Sequence, residues 1–405
     1  MEIVKSKFTP YIPFLILISF ASFLNNLART IFPPLTPNIC EEMNLCHGET
    51  GNLFFILSVG FAITLFLSQF ISSKISHKMT VVFSILTTGF ALALTSYAGD
   101  FQTFRVAIFV VGLCSGFFIS SAVAMIRESV ASEHMGKAFG IFATAQSVAF
   151  ILGPMLVKHL IDIFTWKEIL NGFGLASSFI SVVLFFLFRK GSNRGVPITF
   201  GFIRSVFSWP SFWILMVLLC VANGLNMGIY NMAPDYFQRH NLLDKGAVYK
   251  LIVIARVLSI FTAIFAGVIA DRFGLKRSMA ITFILCGALT TLIGAVPPSS
   301  SLVLFTIQSP VAVCLMPLIH FAISTIVPID KNAAIVSIIA PFGFLMGAGV
   351  IPQILGFLGD LNIYAQGFVL FGFSSIIAGV ICGLNAIYRH VEYSQTKSAP
   401  EVEAE

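Results

Sequence analysis

Apolar runs of roughly 20 residues, the length an α-helix needs to cross a bilayer's hydrocarbon, recur along the whole chain and are cut apart by Gly, Pro and small clusters of charge. Twelve are predicted as spans, near residues 11–35, 49–72, 79–98, 103–126, 138–163, 168–188, 211–234, 247–270, 278–296, 301–326, 333–358 and 365–388. Short connections make neighbouring spans antiparallel. One connection is longer, the basic, Gly- and Pro-bearing stretch from Arg189 to Pro210. It divides the expected architecture, an all-α membrane protein, into a six-helix bundle over 1–188, a linker over 189–210, a second six-helix bundle over 211–388 and a polar tail over 389–405.

The polar breaks repeat as well. After span eight the chain reads G-V-I-A-D-R-F-G-L-K-R from Gly267 to Arg277, and 198 residues earlier it reads Q-F-I-S-S-K-I-S-H-K from Gln69 to Lys78. Lys74 and Lys78 stand where Arg272 and Lys276 stand in the second copy. The same offset pairs Asn25 with Asn223, Pro154 with Pro352 and Asp162 with Asp360. One offset recurring in separated places marks two equivalent halves with pseudo-two-fold symmetry.

With 57% hydrophobic and 10% charged residues and a mean hydropathy of +0.93, the composition excludes a soluble domain of this length. Met1 to Leu35 has the basic start and apolar run of a signal peptide. The run is too long, however, and ends in Pro33 and Pro34 without a small-residue cleavage site, so it reads as a retained first span. All but two of the 24 Lys and Arg are scattered over loops and span ends, which argues against nucleic acid as a partner. With a cytoplasmic amino terminus, sixteen of them fall on the cytoplasmic side and six opposite, so both termini are expected inside. Compact loops favour a bacterial inner membrane, and the chain is expected to act as a monomer. Cys40 and Cys46 share the first external loop and are candidates for a disulfide.

Twelve spans in two related halves, a longer central link and the turn after span eight together resemble the major facilitator superfamily, over almost the whole chain. The family's turn pattern is matched at Gly267, Ala270, Asp271, Arg272, Phe273, Gly274, Lys276 and Arg277, while the first copy is decayed, with Gln69 for the glycine and Ser73 for the aspartate. A second trace in span five, Gly140, Ala149, Gly153 and Pro154, keeps the spacing of the family's exchanger and exporter motif. The resemblance implies a secondary transporter that alternates access around a central site. It also makes Gly267, Asp271, Arg272, Gly274, Lys276 and Arg277 a gating turn. The turn has chemistry of its own: glycines permit a sharp reversal, and its basic residues suit the negative end of a helix.

A charge in the hydrocarbon costs several kcal/mol unless it faces water or a partner, which singles out Arg29 in span one and Arg256 in span eight. Asn25 and Asn26 lie one turn before Arg29, and Asn223, Asn226 and Tyr230 form a polar face on span seven. The eighteen Asp and Glu fall in loops, tails or span ends. Two buried cations without a buried acid call for an anion from outside, and a guanidinium suits a carboxylate or phosphate. Helix-to-helix bonding of the asparagines and snorkelling of Arg29 are the competing readings. His320, in span ten, is the titratable side chain deep enough to carry a coupling proton, against the plainer role of a packed hydrogen-bonding residue.

The expected function is transport of a small organic or inorganic anion, by exchange or down a gradient. The expected partners are a small-molecule substrate and the lipid bilayer. No ATP-binding loop, metal-ligand cluster or cofactor motif is present in the sequence, and nothing suggests catalysis. Three other readings stay open: an exporter of amphipathic compounds, a carrier for a neutral or zwitterionic solute such as an amino acid or nucleoside, and a transporter-derived receptor.

Overall fold

A computed structural model describes residues 8–131, 134–188, 204, 207–208, 210–326 and 338–384. The linker over 189–210 falls almost wholly outside the described residues, as does the tail over 389–405. The first half holds α1 (Thr9–Met43), α2 (His47–Lys74), α3 (His77–Thr95), α4 (Phe101–Ser129), α5 (Met135–Leu160) and α6 (Trp166–Leu187). The second holds α7 (Phe212–His240), α8 (Lys245–Phe273), α9 (Leu275–Ala295), α10 (Pro298–Ile326), α11 (Ile338–Asp360) and α12 (Tyr364–Gly383). Each expected span is matched by a helix, and no strand occurs among the described residues.

Two helices run well past the hydropathy edges. α1 reaches Met43 because Pro33 and Pro34 open a second segment, Phe32–Met43, where a proline's missing N–H and fixed φ are tolerated in the first turn. It stops at Asn44, which takes a left-handed φ of 53°. α7 runs past the expected end at 234 to His240, through π-helical turns over Gly224–Gly228 and Asp235–His240.

The repeat is visible in the packing. α1 lies on α5, α2 on α4 and α3 on α6, and the second half repeats each pairing as α7 on α11, α8 on α10 and α9 on α12. Between the halves α2 packs on α11 and α5 on α8, which the two-fold exchanges. Small residues permit these approaches. The Thr30 hydroxyl donates to the Ala149 carbonyl, and a Cβ on Gly153 would sit 3.2 Å from the Thr30 carbonyl, so the span-five trace serves the α1–α5 contact.

The face carrying the turns after α1, α3, α5, α7, α9 and α11 is here termed distal. Among the described residues, the hydrogen bonds that join the two halves all lie in the distal half of the bundle: Asn52 to Gln353, Gln353 to the Gly48 carbonyl, Arg239 to Thr50, Tyr249 to the Pro34 carbonyl, and a cluster around His47. The protein is therefore closed distally. On the opposite face, Gly274 makes the sharp α8–α9 reversal with φ of +81°, and the Ser278 hydroxyl donates to the carbonyls of Ile269 and Gly274. Arg272, Gly274 and Arg277 are exposed there, and Lys276 is half-buried. The side chain of Asp271 and the surroundings of Gly267 lie outside the described residues.

Candidate functional site

Between the halves lies a small cavity of about 40 Å³, bounded by Asn26 and Arg29 from α1, Phe61 from α2, Phe150 from α5, Met227 from α7 and Phe344 from α11. Its lining carries the two-fold. Arg29 and Met227, which occupies its place in the second half, both face it, as do Phe150 and its counterpart Ala348. The cavity thus sits on the pseudo-symmetry axis near mid-helix, where a two-half carrier keeps its ligand.

Arg29 donates through Nη2 to Asn26 Oδ1 at 2.9 Å, one turn back on the same helix. Its guanidinium carbon lies 4.2 Å from the Phe61 ring centre and 5.8 Å from that of Phe344, and the two rings are themselves 4.9 Å apart. Ring faces attract a cation and soften the cost of its burial, yet they cover only the flat faces of the guanidinium. The in-plane edge keeps Nε buried with no partner.

Arg256 repeats this chemistry with different helices. Nη1 donates to Asn226 Oδ1 at 2.8 Å, and Nη2 to the Asn226 carbonyl at 3.0 Å. The rings of Tyr230 and Phe150 lie 4.0 and 4.6 Å from its guanidinium carbon. Its Nε, like the Tyr230 hydroxyl, is buried and unpartnered. Arg256 does not line the cavity. Phe150 lines it and also lies against Arg256, so the second charge stands one aromatic layer behind the first.

Among the described residues neither arginine has a carboxylate within salt-bridge distance; the ion pairs are His47–Asp235, His77–Glu128, Lys167–Glu42 and Arg239–Asp235. The other polar residues singled out in the sequence divide between the two roles considered for them. Asn26 and Asn226 hold the arginines. Asn25 bonds to the Ser115 carbonyl of α4, and Asn223 packs against Gly343 and Gly347 of α11. His320 is exposed, with Nδ1 2.7 Å from the Met316 carbonyl one turn back.

Sequence reasoning placed every acid in a loop, tail or span end; Asp235 corrects this, for it is fully buried within the extended α7. It meets His47 Nδ1 at 2.7 Å, Arg239 at 2.5 Å and the Tyr364 hydroxyl at 3.2 Å. Pro234 and the charge itself had marked a stop. The signal that it continued was Arg239 four residues on, an i,i+4 partner. Phe61, Phe150 and Phe344 were missed for another reason: a phenylalanine stacked on an arginine looks, in sequence, like any of the other 40. Cys40 and Cys46 are not bonded to one another. Cys40 Sγ lies 3.0 Å from the Thr50 hydroxyl, and Cys46 caps α2, where partial burial beside Asp360 pushes its thiol pKa up.

Two pseudo-symmetric six-helix bundles around a charged cavity define a membrane carrier by class. The family model of the Major Facilitator Superfamily matches residues 18–262 and 246–405, and the chain belongs to that superfamily: a transporter, not an enzyme. Among similar sequences are a protein TsgA homologue of Serratia proteamaculans (strain 568), 23% identical over 224 residues, and the uncharacterised MFS-type transporter YybF of Bacillus subtilis (strain 168), 22% identical over 277. The first match takes in 53% of this chain and about half of the relative, 55%; the second takes in 64% and 66%. Among solved structures, a bacterial homologue of the human lysosomal transporter Spinster superposes with a TM-score of 0.76 at 13% identity, over 97% of this chain and 98% of that one. A D-xylose-proton symporter gives 0.75 at 12%, over 92% and 97%.

Proposed function

We propose that this protein moves a small anion across a bacterial inner membrane by alternating access, as an exchanger or a gradient-driven symporter, with both termini cytoplasmic and the distal face outward. The observation that carries this reading is Arg29: a guanidinium that lines the central cavity with a free N–H edge and has no acid nearby to neutralise it. Phe61 and Phe344 hold its plane, so an incoming carboxylate or oxyanion meets the donors edge-on, the geometry in which a guanidinium binds best. Arg256 adds a second positive charge behind Phe150 and enters the site when the halves rock. Phe54, Leu57 and Met227 leave much of the wall apolar, which favours an anion with a small apolar body over a fully hydrated one.

The test is uptake into proteoliposomes from a mixed pool of labelled inorganic oxyanions, short-chain carboxylates, amino acids and neutral sugars. The expected result is uptake of an anion that Arg29→Gln abolishes in a folded, correctly inserted protein. Neutral-solute uptake that survives Arg29→Gln and Arg256→Gln would end the anion reading.

A further inference from the structure

We propose that the distal cluster is a proton-binding site: His47 takes up a proton when the distal face closes, and that proton fastens α2 of the first half to α7 of the second. This goes beyond the transport reading and does not depend on which solute is carried.

The contacts around His47 come from five elements. Its own helix and the turn before it bring Glu49, which accepts from the Cys46 N–H, and the Cys46 thiol. From α7 come Asp235, on Nδ1, with Arg239 and the ring of His240, whose centre is 5.5 Å from that of His47. From α11, Asp360 accepts the His47 and Gly48 main-chain N–H groups at 2.8 and 2.9 Å, and from α12 the Tyr364 ring lies 5.6 Å away. Two carboxylates thus meet His47, Asp235 on the ring and Asp360 on the main chain, with one guanidinium nearby. Arg239 is further committed to the Thr50 hydroxyl and the Leu45 carbonyl.

A neutral His47 already gives the Asp235 carboxylate a charge-assisted hydrogen bond, and a protonated ring adds the attraction of opposite charges to it. This surplus exists only while the halves touch, since parting them carries His47 away from both Asp235 and Asp360. Proton binding and distal closure are therefore linked, and each promotes the other. His47 is 20% exposed while Asp235 is fully buried, so a proton reaches the histidine from the distal side without the cluster opening. His240 sets a limit: like charges on two touching imidazoles repel, so the cluster takes one proton, not two.

Cys40 reports on the latch. It is buried against Thr50, which Arg239 covers from the other half, whereas Cys46 is exposed. The experiment follows alkylation of both native cysteines in the purified full chain by a bulky charged maleimide, using peptide mass spectrometry. The expected result is that Cys40 labelling relative to Cys46 slows roughly tenfold between about pH 8 and about pH 5.5, the range in which histidines gain charge. In His47→Gln, whose amide still donates to Asp235 but does not titrate, the ratio stays within about twofold. Asp235→Asn, which keeps an acceptor but no charge, flattens the profile independently should His47→Gln fail to fold. His320→Gln keeps the wild-type profile. Parallel profiles in wild type and His47→Gln, or a Cys40 protected at every pH in both, overturn the proposal.

Discussion

Arg256 and Asn226 are joined twice, by one guanidinium nitrogen on the side-chain oxygen at 2.8 Å and another on the main-chain carbonyl at 3.0 Å. The acceptor lies in the π-helical turn Gly224–Gly228, a kind of irregularity found most often at functional sites. One asparagine therefore fixes both the position and the rotation of a cation that has no acid beside it, and leaves Nε free.

Replacing Asn226 separates structure from charge. Asn226→Ala removes an acceptor from a buried cation and is expected to destabilise the protein by about 1.5–3 kcal/mol, read as a lower melting temperature in detergent. Asn226→Asp is expected to fold, because it gives Arg256 an acid. The same acid cancels the charge, so anion affinity should fall by roughly tenfold, about 1.4 kcal/mol. Unchanged affinity in Asn226→Asp would remove Arg256 from the binding function.

Phe61 is expected to act through Arg29. Phe61→Leu keeps the position apolar but removes the ring face 4.2 Å from the guanidinium, a contact worth about 0.5–2 kcal/mol. A freed Arg29 loses its edge-on presentation, and the Michaelis constant for the anion should rise about three- to tenfold. Phe66→Leu, five residues further along α2 with its ring tilted against that of Phe70, is the control and should leave it unchanged.

The frame of the protein was legible because its signals are long and local: apolar runs of bilayer length, and an offset of 198 residues that the packing repeats pair by pair. Arg29 and Arg256 were legible for a related reason, since a lone charge in an apolar run has few harmless explanations. The long-range partners were not. Asn25 and Asn223 share a place in the repeat, but what each touches depends on the neighbouring helix, α4 in one half and α11 in the other. Asp235 was hidden more completely. Its burial is made tolerable by His47 and Tyr364, residues 188 and 129 positions away, and no local pattern announces such neighbours.

The α8–α9 turn gives a test that involves no ligand. At φ of +81° Gly274 occupies a conformation that L side chains rarely adopt. Gly274→Ala is expected to cost about 1 kcal/mol or somewhat more, seen as a lower midpoint of denaturation, and Gly274→Asn is expected to cost as much, because a ψ of 142° lies outside the left-handed helical basin that asparagine tolerates.

The last prediction concerns the α2–α11 crossing, where main chain meets main chain. A Cβ on Gly356 would fall on the His47 carbonyl, and one on Gly51 would fall on the Pro352 carbonyl, so each helix needs a glycine where the other's backbone passes. Backbone atoms of two helices cannot rotate aside as a side chain does, so Gly356→Ala must push the distal ends apart. That movement stretches the bonds from the His47 and Gly48 N–H groups to Asp360 and draws His47 from Asp235. Cys40 should then alkylate roughly tenfold faster, a shift of about 1.4 kcal/mol toward the distally open state, and its pH dependence should shrink because the proton no longer has a closed cluster to stabilise. Gly140→Ala, where an added Cβ meets nothing within 4 Å, should do neither. If Gly356→Ala left Cys40 protected, the crossing would be simple packing and the distal contacts would not be a gate. If it opened the face but kept the full pH dependence, the proton would have to act elsewhere than at His47.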